Sequence, residues 1–201
     1  AASPGGANNV NELSDGVTNS SGATIGLGTG ALANDDGTSN NNTALGYNAL
    51  NANTSGAQNV AVGSGALDAN TTGAANTAIG DEALTANTTG GHNTALGYSA
   101  LESVSTSSAN VAVGSLSLQN TTSGNNAALG YSTLRSNTSG TRNVAVGYAA
   151  LTANTTASSN TAVGYDCLKA NTTGSENTAV GRNALDANTT GTKNVAVGSL
   201  A

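Results

Sequence analysis

The chain has 201 residues, a net charge of −6 and 8% charged residues, where ordinary domains carry about a quarter. It holds five Tyr, one Cys, and no Phe, Trp or Met, which excludes a core built on large aromatics and an internal disulfide framework. Its five Lys and Arg are scattered, without a basic patch or interleaved aromatics, so no nucleic-acid binding is expected, and its apolar runs are too short for membrane insertion.

Residues 1–23 read as an N-terminal arm. Ala1-Ala2-Ser3-Pro4 has the small residues common after a secretory cleavage site, and an exported, extracellular protein is the expectation. Val17 to Ala23 resembles the second half of the unit described next, with a residue missing.

Residues 24–201 read as one repeat domain. Asn42-Thr43-Ala44-Leu45-Gly46-Tyr47 opens a unit, and Asn59-Val60-Ala61-Val62-Gly63-Ser64 opens the next, 17 residues on. The opening recurs at Asn76, Asn93, Asn110, Asn126, Asn143, Asn160, Asn177 and Asn194. Unit 110–125 is one residue short, and the divergent unit 24–41 is one long. The consensus is N-[TV]-A-[VLI]-G-[YS]-x-A-L-x-A-N-T-T-G-x-x. Low charge with abundant Asn, Thr, Ser and Gly also fits disorder, but apolar residues at a fixed interval argue against it.

A period near 17 is too short for helical-hairpin repeats, which need about 33–47 residues. Asn, Thr, Gly and β-branched residues are also poor helix formers. The period suits a β-solenoid, or β-roll, of about ten coils and roughly 48 Å, with stacked strands about 4.8 Å apart. Two short strands per coil are expected. Positions one to four, Asn-Thr-Ala-Val, make the first, closed by Gly at position five, which permits a positive φ or a close approach to the next coil. Ala-Leu at positions eight and nine centres the second, and Asn-Thr-Thr-Gly makes the return turn. Charges fall mainly at x positions (Asp68, Glu102, Arg135, Lys169 and Asp186 at the tenth; Arg142, Glu176 and Lys193 at the last). The expectation is that x positions point out and that positions four and nine point in.

The repeats resemble the head repeats of YadA-like trimeric autotransporter adhesins, and more closely the repeats of bacteriophage tail fibres. Val146-Gly147-Tyr148-Ala149-Ala150 and Val180-Gly181-Arg182-Asn183-Ala184 carry the likeness. The resemblance implies an exported fibre or adhesin module, often trimeric. The unit here is longer than the usual adhesin head repeat.

The first-position Asn column (Asn42, Asn59, Asn76, Asn93, Asn110, Asn126, Asn143, Asn160, Asn177, Asn194) reads as a ladder bonding coil to coil, as in other stacked β structures. A second Asn column (Asn53, Asn70, Asn87, Asn120, Asn137, Asn154, Asn171, Asn188) is formally a row of glycosylation sequons, and reads as turn chemistry plus a second ladder, interrupted at Val104. Tyr47, Tyr98, Tyr131, Tyr148 and Tyr165 share the sixth position with Ser, Asp and Arg, so they read as exposed. His92 stands alone, Cys167 occupies an Ala column, and the pairs Asp35-Asp36 and Asp81-Glu82 are isolated. No catalytic, cofactor or metal site is expected.

Asn194 to Ala201 is about the first half of a unit, complementary to the half-unit at 17–23. Val17, Asn19, Gly22, Asn194, Val195, Val197 and Leu200 are therefore candidates for an end-to-end interface. A heterologous contact that does not close gives a filament. The leading expectation is an extracellular filament subunit or fibre shaft whose partner is itself. An adhesin head or tail-fibre module binding a cell-surface glycan is the alternative, with ice binding third.

Overall fold

The computed structural model describes residues 16–18, 24–37 and 40–201. Among these the chain is all β, without a helix. Twelve three-residue strands form one sheet in chain order: β1 (Gly16–Thr18), β2 (Ile25–Leu27), β3 (Thr43–Leu45), β4 (Val60–Val62), β5 (Thr77–Ile79), β6 (Thr94–Leu96), β7 (Val111–Val113), β8 (Ala127–Leu129), β9 (Val144–Val146), β10 (Thr161–Val163), β11 (Thr178–Val180) and β12 (Val195–Val197). Strands β2 to β12 are parallel, and each unit lies directly over the last; Ala61 sits beside Ala44 and Ala78. The expected β-solenoid of about ten coils is the fold.

Each coil has one strand, not two. The Ala-Leu segment is instead a tight bend, because its leucines take left-handed backbone angles, such as +53° at Leu84 and +50° at Leu168. A residue in that region cannot continue a strand. Inter-coil bonding persists regardless: Leu84 N–H donates to the Ala100 carbonyl (3.0 Å), and Thr71 N–H to the Thr88 carbonyl (2.9 Å). The regular offset of one unit, not extended geometry, lines up these donors and acceptors.

Burial also differs from expectation at position four. A strand alternates its faces, so positions two and four share one and position three takes the other. The buried residue is the third: Ala44, Ala61, Ala78, Ala95 and their equivalents. Position four faces out, with Leu45 and Leu129 48% and 49% exposed. The inner space explains the choice. Ala at position eight and a fully buried Leu at position nine already fill the coil from the opposite side, leaving room only for a methyl group on the strand. The ninth position points in as expected, and the tenth and last positions are half-buried or exposed. The position-eight core column carries polar substitutes in two successive coils, and they satisfy each other: Ser117 and Thr133 hydroxyls lie 2.9 Å apart, and Thr133 donates to the Gly130 carbonyl.

The N-terminal edge is covered rather than open. β1 pairs antiparallel with β2, Val17 opposite Gly26. Asn19 and Gly22 lie outside the described residues. At the other edge Val195, Val197 and Leu200 of the last coil are 70–76% exposed.

Candidate functional site

The coil is locked by its first Asn. In each rung, the backbone N–H donates to the Asn Oδ1 of the preceding coil, as Asn59 does to Asn42 (2.9 Å) and Asn76 to Asn59 (3.0 Å). The same Asn Nδ2 donates to the carbonyl fourteen residues on, Asn59 to Gly73 (2.8 Å) and Asn76 to Gly90 (2.8 Å), and so closes its own coil. The column is buried from Asn42 to Asn177. The Asn160 Nδ2 is the member without an acceptor.

The second ladder is directional: each Nδ2 donates toward the N-terminal coil, as Asn70 does to Asn53 (2.9 Å) and Asn154 to Asn137 (2.8 Å). Its first rung therefore needs only an acceptor, and Asp35 supplies one, receiving Asn53 Nδ2 at 3.2 Å. One expected member is displaced. Thr121, not Asn120, occupies the column, where its hydroxyl accepts from Asn137 (2.9 Å); Asn120 is exposed. The missing residue of unit 110–125 shifts the register by one. The members Asn53, Asn70, Asn87, Asn137, Asn154 and Asn171 are buried, so this fold leaves no room for a glycan on their side chains.

At Val104 the ladder breaks, and Asn87 Oδ1 is left buried without a partner. Val104→Asn would place a donor beneath it. An added buried hydrogen bond contributes about 1 kcal/mol, so the variant is expected to unfold at higher urea concentration than the parent. An unchanged or lowered midpoint would show that the ladder bond does not offset the lost apolar contact.

Few side chains offer chemistry. Cys167 is buried, its thiol lies 3.2 Å from the Ala179 carbonyl, and burial pushes its pKa up, which suppresses the reactive thiolate. His92 is exposed. Burial also raises the Asp68 carboxyl, and the hydrogen bond from Lys169 to Asp166 (2.8 Å) raises the lysine. Among the described residues no group of three or more His, Cys, Asp or Glu is placed to hold a metal. The threonine hydroxyls of position thirteen are already engaged along the column; Thr71 and Thr138 donate to Thr88 and Thr155 carbonyls.

Among the described residues the outer face of the sheet is exposed along its length. Positions two and four of β2 to β12 put Thr, Val, Ile and Leu (and one Ala) on it. Eleven strands about 4.8 Å apart and about 10 Å long give a mostly apolar strip of roughly 500 Å², at the upper end of what monomers expose. Position six borders it. There Tyr131, Tyr148 and Tyr165 stack, with centroids 5.4 and 5.1 Å apart, because three successive units carry Tyr. No helix among the described residues is long and apolar enough to cross a membrane.

No family model, curated protein or solved structure matches this chain.

Proposed function

We propose that this chain is a structural subunit of an extracellular fibre, a rod whose apolar sheet face is covered by further copies of itself side by side. The observation that carries the reading is the strip formed by positions two and four. Its leucines and valines are exposed on a rigid, hydrogen-bonded sheet and cannot turn inward, because Ala and Leu already fill the core. Burying such a face contributes about 25 cal/mol per Å². A second copy carries the same repeat spacing, which lets contact continue along the whole rod. The likeness of the repeats to tail-fibre and adhesin-head units is consistent with this role.

Sedimentation tests the reading. The parent chain is expected to form a discrete oligomer at micromolar concentration, and Leu96→Lys, on the exposed face, to shift it toward monomer by at least tenfold with an unchanged circular dichroism spectrum. A parent chain that stays monomeric would overturn the proposal. The stacked tyrosines favour a second reading, an adhesin surface, which binding of cell-surface glycans lost on Tyr148→Ala would support.

A further inference from the structure

We propose that Tyr131, Tyr148 and Tyr165 form an oxidative cross-linking site, where a peroxidase joins neighbouring rings into bityrosine and so staples successive coils of one chain. This is independent of the association proposed above.

Composition limits where an oxidant can act. The chain has no Trp and no Met, and its one thiol, Cys167, is fully buried, whereas sulfur oxidation follows exposure. The five tyrosines are all exposed, and they remain as the side chains that readily give up a single electron.

Three of the five are set against one another. The rings of Tyr131 and Tyr148 lie 5.4 Å apart with 18° between their planes, and those of Tyr148 and Tyr165 lie 5.1 Å apart with 10°. The backbone fixes this spacing. Ala149 N–H donates to the Tyr131 carbonyl (3.0 Å), and Asp166 N–H to the Tyr148 carbonyl (2.9 Å). The rings therefore cannot drift apart, and their exposed side leaves space to tilt edge to edge. Tyr47 and Tyr98 have no such neighbour. The sixth positions beside Tyr47 carry Thr29 and Ser64, and those beside Tyr98 carry Asp81 and Ser115.

The oxidant is hydrogen peroxide, used by a haem peroxidase that the chain does not itself provide. Each of two phenols gives up one electron and one proton, and the peroxide is reduced to two waters. In each phenoxyl radical the unpaired electron reaches the ring carbons next to the carbon that bears oxygen. One such carbon on each ring joins the other in a new C–C bond. The hydrogen that each carbon carried moves to its own oxygen, which restores both phenols. Two tyrosines and one peroxide thus give one bityrosine and two waters. Holding the partners side by side makes the coupling unimolecular. Tyr148 is the ring that both close pairs share, since Tyr131 and Tyr165 are two coils apart, about 9.6 Å.

The test uses the full chain at nanomolar concentration with a haem peroxidase and hydrogen peroxide, in a Cys167→Ala background that removes the thiol and restores the Ala of that column. Bityrosine fluorescence is expected. Trypsin releases residues 143–169 as one peptide that carries both Tyr148 and Tyr165, and a fraction of it is expected to be two hydrogens lighter. A link inside that peptide can only have formed within one chain. Tyr148→Phe keeps a ring in the stack but removes the phenol, and is expected to lower the fluorescence at least tenfold, because only coupling between separate chains remains. Tyr98→Phe is expected to leave it unchanged. The linked chain is also expected to unfold at a higher urea concentration than the untreated one, since a cross-link constrains the unfolded state. A 143–169 peptide of unaltered mass, or equal fluorescence from Tyr148→Phe and Tyr98→Phe, overturns the site. Linked chain with an unchanged urea midpoint overturns its role as a staple.

Discussion

Gly80→Ala is expected to destabilise the rod by on the order of 3–5 kcal/mol, the sum of a strained backbone and a backbone clash. Gly80 has φ of +139°, and a Cβ there would lie 2.5 Å from the carbonyl oxygen of Gly97 in the next coil. Neither partner can move independently. The Gly97 backbone is held by its own bond to the Ile79 carbonyl (2.7 Å) and faces Gly114 in the same way. The cost should appear as lost cooperativity as well as a lowered midpoint, because each coil of a solenoid is stabilised chiefly by its neighbours. Thermal unfolding followed by circular dichroism is expected to split into two transitions, one for each side of the break. Gly65→Ala is the control. It also has a positive φ, +65°, but its Cβ would meet only the Thr85 hydroxyl at 3.8 Å. Ala149 already occupies the same place in another coil at +52°, so near-neutral stability is expected. Equal losses in the two variants would mean that backbone angle, not close approach, fixes the fifth-position glycines.

Those glycines also show how much of the fold could be read in advance. Period, parallel stacking and the need for Gly at position five follow from spacing, because stacking one unit on the next makes identical demands at every coil. The first Asn column was legible for the same reason. Which strand residue faces inward was not. Val, Leu and Ile at position four are more apolar than Ala at position three, so hydrophobicity alone points the wrong way. The decision is made by volume across the coil, where Leu67 and Ala66 leave space only for Ala61. The bend at Ala-Leu was hidden likewise. Leu is an unusual residue at +53°, and it is held there because its side chain fills the core and its N–H reaches the next coil. The outer face was missed as a direct result: a column assigned to the interior cannot be seen as a surface. Thr121 in the second ladder was concealed by a one-residue deletion that leaves the sequon Asn120-Thr121-Thr122 intact in the chain while shifting it in space.

The two Asn ladders should not be equal, and Asn76→Ala against Asn87→Ala is the comparison that separates them. Removing the Asn76 side chain takes the acceptor from the buried Asn93 N–H, which it holds at 3.0 Å. It also takes a donor from the Gly90 carbonyl, which keeps its second bond from Asn87 (3.0 Å). The loss is thus concentrated on one stranded backbone donor, and an unsatisfied buried group costs about 1–3 kcal/mol beyond the lost hydrogen bonds. Removing the Asn87 side chain strands only a side-chain acceptor, Asn70 Oδ1, and its own Oδ1 already lacks a partner. Asn76→Ala is expected to lower stability by about 3 kcal/mol and Asn87→Ala by about half as much, read from urea unfolding midpoints. Asn76→Asp sharpens the assignment. A carboxylate still accepts from Asn93 N–H but places a buried negative charge against the Gly90 carbonyl, so its pKa in the fold must rise above the unfolded value. Protonation then favours the folded state, and the stability missing at neutral pH is expected to return as the pH falls through that raised pKa, when the acid can donate to Gly90. An Asp variant that is instead most stable at neutral pH would mean that the first column works through its acceptor alone, and that closure of each coil rests on the second ladder.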